Sequence, residues 1–253
     1  MEWSAAGLIL SARRHGESGS ILEVLTRDHG RHLGLVRGSR NRALLQAGNG
    51  LSLQWRARLA DHLGSFALEL TSARAGALME NGDALTGLNA FTAVAGAALP
   101  ERLAYPTLFD AAEIFLAAMA EGDFSHWGPL YVRWEAGLLE ALGFGLDLTQ
   151  CAATGVTGDL IYVSPRSGRA VSRGGGADYA ERLLPLPGFL LASQNLPDRK
   201  ALRDGFLLTG HFLAERVLRP HGRDLPAARL RLNALAERES DKNGRHGRAR
   251  QTR

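Results

Sequence analysis

Lysine is almost missing from this chain. Of its 30 basic side chains only Lys200 and Lys242 are lysine, and the rest are arginine. Arginine carries a planar fork of donors suited to bidentate phosphate contacts and to stacking on bases. Cysteine is equally scarce: Cys151 stands alone among 253 residues, which excludes an internal disulfide and fits a reducing compartment. No apolar run approaches the roughly 20 residues of a membrane span. The opening MEWSAAGLIL lacks the basic start and the long apolar stretch of a secretory leader, so a cytoplasmic protein is expected. Catalytic signatures are missing too. There is no G-x-x-x-x-G-K-[ST], no H-E-x-x-H and no G-x-S-x-G, and GFGLDL (143–148) lacks the third glycine of a dinucleotide loop. His15-Gly16-Glu17 has the H-x-E spacing of zinc deaminases, but their P-C-x-x-C partner cannot exist with one cysteine. Nothing here points to an enzyme or to a cofactor.

The charge that is present lies at the ends. Residues 1–78 hold ten arginines against six acids, residues 79–236 hold 14 basic against 17 acidic groups, and residues 237–253 hold six against three. The densest run, GRHLGLVRGSRNR (30–42), has no acid at all.

Residues 1–78 read as β-structure. Five segments, 5–14, 20–28, 31–38, 51–60 and 65–73, alternate apolar and polar side chains, and HGESG, DHG and DHLGS separate them as turns. With a helical connection near 39–47, five short strands predict a closed barrel of the OB type, a β-sandwich being the competing architecture. In the fourth segment Leu51, Leu53, Trp55, Ala57 and Leu59 share one face, and Arg56 and Arg58 share the other. Trp55 and Phe66 are expected in the core.

From about residue 79 the period becomes helical. Segments 83–99, 107–120, 127–143, 199–218 and 224–237 carry apolar residues three and four apart, with Pro106, Pro129 and Pro226 near helix starts. Between them, residues 144–179 form a Gly-, Ser- and Thr-rich insert with strand-like pieces at 160–163 and 169–172. The expected class is α+β: an OB domain (1–78), a helical domain (79–237) with an irregular insert, and a disordered basic tail (238–253). A two-knuckle zinc template begun at Cys151 lands next on Thr154, Ser172 and Gly175. Three of four ligands are therefore missing, and no metal is expected.

Two patches, one opening at Gly7 and running through Gly16-Glu17, Gly30-Arg31 and Gly38, the other running from Leu139 through Cys151 and Ser164-Pro165 to Ser172, resemble the RecO family, bacterial mediators of recombinational DNA repair. GLILSARRHGESGSILEVLTRDHGRHLGLVRGSR (7–40) resembles the family's opening, with Gly16, Glu17, Ile21 and Thr26 in a G-E-x-x-x-I/L-x-x-x-T stretch. In the same patch Gly30, Arg31, Gly34 and Gly38 fit G-R/K-x-x-G/A-x-x-x-G. LEALGFGLDLTQCAATGVTGDLIYVSPRSGRAVS (139–172) resembles the start of the family's cysteine knuckle and its S-P-x-x-G piece. Some members hold zinc there and others have lost it; this chain resembles the latter. The resemblance implies an OB barrel and a helical domain. It also implies binding to single- and double-stranded DNA, annealing of complementary strands, and action with RecR, in some lineages RecF. Its implied end is to load RecA onto strands coated with single-strand-binding protein (SSB). No turnover is implied, and the location implied is cytoplasmic and nucleoid-associated. Contact with the acidic C-terminal tail of SSB is implied on the helical domain.

The residues agree with that on their own terms. Arg13, Arg14, Arg27, Arg31, Arg37, Arg40, Arg42, Arg56 and Arg58 form the candidate DNA-binding set, expected on one continuous exposed surface. Few aromatics accompany them (Trp3, Trp55, Phe66), so electrostatics should lead and base stacking should be the smaller term. Arg133 beside Trp134 in LYVRWEAGLLEALG is the candidate seat for the SSB tail, a cation next to an apolar shelf. A basic OB barrel serves RNA as well, so an RNA- or ribosome-associated factor is the alternative.

Overall fold

The computed structural model describes residues 1–38, 44–191 and 197–248, with residues 238–248 as backbone only. Five strands, β1 (Glu2–His15), β2 (Gly19–Thr26), β3 (Gly30–Arg37), β4 (Gly50–Arg56) and β5 (Ser65–Ser72), close into a barrel in the order β1-β2-β3-β5-β4. The alternation read from the sequence is the cause. Ile9, Leu22, Val24, Val36, Leu51, Leu53, Trp55 and Phe66 all point inward and form the barrel core. β1 is long enough to serve two neighbours. Its first half pairs with β4 (Trp3↔Trp55, Leu8↔Gly50) and its second with β2 (Ala12↔Leu22, His15↔Gly19), with a register shift between Ile9 and Ser11.

β4 is shorter than its alternating pattern suggests. Its ladders with β1 and β5 stop at Arg56, followed on the β1 side by the Met1–Ala57 contacts. Arg58 therefore lies in the connection after β4 and does not share a strand face with Arg56. The helical connection expected near 39–47 falls largely outside the described residues.

Three helices follow, α1 (Ala75–Glu80), α2 (Gly82–Ala98) and α3 (Pro106–Glu121), and they belong to the same compact unit as the barrel, Met1–Glu121. Composition changes near residue 79, yet compactness divides the chain at Glu121, since α1–α3 pack on one another and α2 packs on β1. Asn49, buried between strand and helix, accepts from Ala75 N (2.9 Å) and donates to Leu44 O (3.0 Å), which ties the start of α1 to the barrel. Asn81 caps α2 by accepting from the amides of Asp83 and Ala84.

The second unit spans Gly122–Arg253. α4 (Phe124–Ala141) starts three residues before the apolar period does, because the Asp123 carboxylate accepts from the amides of Ser125 and His126. Pro129 consequently stands inside the helix and not at its start. α5 (Arg199–Phe212) is capped by Asp198 and runs into one wider π-type turn, Leu213–Leu218. α6 (Ala227–Arg248) follows Pro226 and keeps helical backbone through most of the segment whose composition suggests a disordered tail. Strands β6 (Leu160–Val163) and β7 (Ala170–Ser172) of the insert form a three-stranded sheet, β7-β6-β8, with β8 (Leu184–Pro185), which lies beyond the expected bounds of 144–179. Two of these strands are visible in the sequence; the third, two residues long, is not. Among the described residues no helix is long and apolar enough to cross a membrane.

Candidate nucleic-acid interface

Strand register decides which arginines can meet. Residues facing each other across an antiparallel pair share a sheet face. Arg13 opposes Ile21, which opposes Leu35; His15 opposes Gly19, which opposes Arg37. Arg13, His15 and Arg37 thus share the outer face at one end of β1-β2-β3. Arg14 emerges at the same end from the opposite face, in the row of Ser20 and Val36. All four residues are exposed, and none of the three arginines is paired with a carboxylate among the described residues. Arg40 and Arg42 follow Arg37 in sequence and lie outside the described residues.

The remaining arginines of the candidate set are elsewhere and mostly engaged. Arg56 opposes Glu2 at the far end of β1 and pairs with its carboxylate at 2.9 Å. Arg27 makes a two-pronged contact with Asp110 (2.9 and 3.0 Å), and that hydrogen bond is the main cause of the upward shift of its pKa. Arg31 is only 14% exposed: it meets Glu23 at 2.5 Å, donates to Leu99 O at 2.9 Å and lies 3.6 Å from Glu101. Arg58 is exposed and without a carboxylate partner among the described residues. The single continuous arginine surface expected from the sequence is thus not formed. Carboxylates on β2, α3 and the α2–α3 connection hold Arg31 and Arg27; three open cations gather at the Arg13–Arg14–Arg37 end, and Arg58 stays open in the β4–β5 connection.

Sequence reasoning overlooks Arg102, whose role depends on backbone geometry. Its φ is +62°, rare for a side-chain-bearing residue. That turn lets its guanidinium donate to the carbonyls of Ala60, Asp61 and His62, while its amide donates to Arg31 O at 2.8 Å. One residue therefore fixes the β4–β5 connection against the start of β3. Burial lowers the pKa of nearby His32, which keeps that imidazole neutral in the core.

In the second unit Trp134 is buried at 1% exposure, so it offers no apolar shelf at the surface. Arg133 is exposed and donates to Phe189 O at 2.9 Å. It lines a groove of about 680 Å³ with Gly137, Leu146, Leu148, Phe189 and Leu190, and with Glu140 and Asp147 as acids. The knuckle frame converges: a Cβ on Gly175 would stand 2.9 Å from Cys151 Sγ, 3.1 Å from Ser172 Oγ and 3.3 Å from Thr154 Cγ2. Ser172 donates to the sulfur through both its amide (3.2 Å) and its hydroxyl (3.3 Å). These bonds lead the lowering of the thiol pKa to about 6. One sulfur, two hydroxyls and a bare glycine are not a donor set for zinc, which takes thiolate and imidazole at about four positions.

A five-stranded OB barrel followed by a mainly helical second part defines the class of this protein. The chain belongs to the RecO family of DNA repair and recombination proteins. Its residues 1–74 match the family model Recombination protein O N terminal, and residues 79–224 match Recombination protein O C terminal. The DNA repair protein RecO of Rhodospirillum rubrum is 50% identical over 238 residues, 91% of this chain and 94% of its own length. That of Roseobacter denitrificans is 49% identical over 235 residues (91% and 96%), and that of a Jannaschia species 46% over 248 (96% and 100%).

Proposed function

We propose that this protein is a non-enzymatic recombination mediator. It binds single- and double-stranded DNA, anneals complementary strands and, with RecR, helps load RecA onto SSB-coated DNA in the cytoplasm; RecF joins it in some lineages. The observation that carries the reading is the cluster of Arg13, Arg14 and Arg37, exposed and in no ion pair among the described residues, at one end of an OB barrel. Guanidinium groups without internal partners cost little to bring against phosphate, whereas Arg27, Arg31 and Arg56 would first have to leave a carboxylate. Arg40 and Arg42 follow in sequence and are assigned to the same contact. The SSB tail is assigned to the groove beside Arg133. There a cation and the apolar Leu146, Leu148 and Phe189 fit a peptide ending in a hydrophobic residue and a carboxylate.

Annealing of SSB-coated complementary oligonucleotides tests the proposal. The wild-type chain is expected to accelerate annealing, the Arg13→Ala/Arg37→Ala variant to do so less at equal folded content, and Arg133→Glu to lose the effect only when SSB is present. No acceleration by the wild type, with or without SSB, would overturn it.

A further inference from the structure

The far end of the barrel carries a different feature. Trp3 on β1 stacks on His29 in the β2–β3 turn, ring centroids 4.0 Å apart and planes 19° apart. On the same side Trp3 lies nearly parallel to Trp55, its cross-strand partner, at 5.6 Å and 17°. His32 abuts both indoles edge-on at 5.1 and 5.0 Å. The rings therefore form a ladder from core to surface: Trp55 and His32 are buried, while Trp3 and His29 are half-buried.

We propose that the Trp3–His29 pair seats an unpaired nucleobase of single-stranded DNA by extending this ladder. The inference rests on the DNA-binding reading above and adds the part of the nucleic acid that this end of the barrel takes. Three observations carry it. His29 keeps its backbone amide on Thr26 Oγ1 (3.1 Å), yet neither nitrogen of its ring has a hydrogen-bond partner among the described residues. Neither nitrogen is buried, so the edge of the ring is open to a ligand.

The seat is also rigid before any ligand arrives. Trp55 Nε1 donates to Leu63 O at 3.0 Å, and Gly64, at φ +66°, lies so close that a Cβ would stand 2.4 Å from that nitrogen. Arg102 holds the same connection through three carbonyls. Stacking on groups already fixed avoids the ordering cost that weakens flexible binders.

Finally, Arg58 is exposed in that connection, three residues after Trp55, where it can meet the phosphate flanking a seated base. A paired base inside a duplex already has neighbours on both faces. Only an unpaired one offers a free face to the ladder, so this end selects single strands while the Arg13–Arg37 end takes either form.

The test uses the full chain with oligo(dT), an abasic strand of the same length and a duplex. Fluorescence anisotropy of the labelled DNA and tryptophan emission are read together. Trp55, Trp127 and Trp134 are buried, so quenching by oligo(dT) reports Trp3. Emission is expected to fall on binding in the wild type and not in Trp3→Phe. His29→Ala is expected to weaken oligo(dT) about five- to tenfold and to leave the abasic strand and the duplex unchanged. His29→Phe, which keeps a flat ring at the same place in the turn, restores the affinity. Anisotropy that reports oligo(dT) binding without quenching, or an unchanged affinity in His29→Ala, would overturn the stacking seat and leave DNA binding intact. Failure of every DNA to bind at low salt would overturn the DNA-binding reading together with it.

Discussion

Arg229 on α6 and Glu135 on α4 form an ion pair with neither side chain exposed to solvent, Nη2 to Oε2 at 2.7 Å and both at 0% exposure. The guanidinium also donates to Phe206 O at 2.9 Å and lies 4.9 Å from the Phe206 ring, while Thr209 donates to the same carboxylate. Burial, reinforced by the Glu135 carboxylate, pushes the nearby Tyr131 hydroxyl well above its ordinary pKa, so it stays protonated. Three helices thus share one polar centre inside an apolar core.

Removing one partner leaves the other charge buried without compensation. Glu135→Ala is expected to destabilise the protein by about 3–5 kcal/mol in urea unfolding. The double replacement Glu135→Leu/Arg229→Met should cost markedly less, since no lone charge remains. Equal losses in the single and double variants would contradict the pairing.

For the barrel, affinity and stability separate cleanly. Each phosphate contact on a single strand contributes about −0.7 to the slope of log K against log salt, so Arg13→Ala/Arg37→Ala should flatten it by about 1.4 with an unchanged melting temperature. Arg31→Ala should do the reverse. It strips Glu23 and Leu99 O of a half-buried donor, and a drop in melting temperature without a change in slope is the expected result.

Gly30 is the tightest backbone approach in the barrel. At φ +67° a Cβ there would stand 1.9 Å from Leu103 O. Gly30→Ala must displace the segment after α2 that carries Arg102, and a loss of about 1–3 kcal/mol is expected. Because that segment anchors the β4–β5 connection, proteolysis should then cut near 60–63 faster than in the wild type.

The converged knuckle frame makes a gain-of-function prediction. With Thr154→Cys, Ser172→Cys and Gly175→Cys added to Cys151, the site would hold four thiolates at the spacing zinc requires. One zinc per chain is expected, with a melting temperature that falls on chelation. The unaltered protein should melt identically with and without chelator.

The sequence makes the barrel legible because strand alternation is a local signal. Ile21 to Thr26 and Leu51 to Trp55 declare their faces without reference to anything distant. The end of β4 is not local: apolar alternation runs on to Leu59 while the pairing with β1 and β5 stops at Arg56, which is why Arg58 reads as a strand residue. The arginines fail for the same reason. Nothing near Arg27 in sequence announces Asp110, and the contact of Arg31 with Leu99 O requires the α2–α3 connection to fold back. Glu23 could have been found, since the hairpin register through the turn at 27–29 brings it diagonal to Arg31. The start of α4 hides behind an Asp123 cap that precedes the apolar period. The zinc frame, by contrast, is legible from spacing alone, because short turns fix where its four positions fall.

Closure between β3 and β5 is slight: the described residues pair there in parallel at one register position, Leu35↔Ser65, supported by Leu35 N donating to Gly64 O at 3.0 Å. Every other seam of the barrel is a multi-residue antiparallel ladder. Amide exchange should therefore begin at this junction, well before the remaining strands loosen. The Trp55 indole is fastened to the neighbouring Leu63 carbonyl, and Leu35 stands in the row of Arg13 two residues before Arg37, so a breathing motion there would reach the aromatic rings and the arginine end of β3 together.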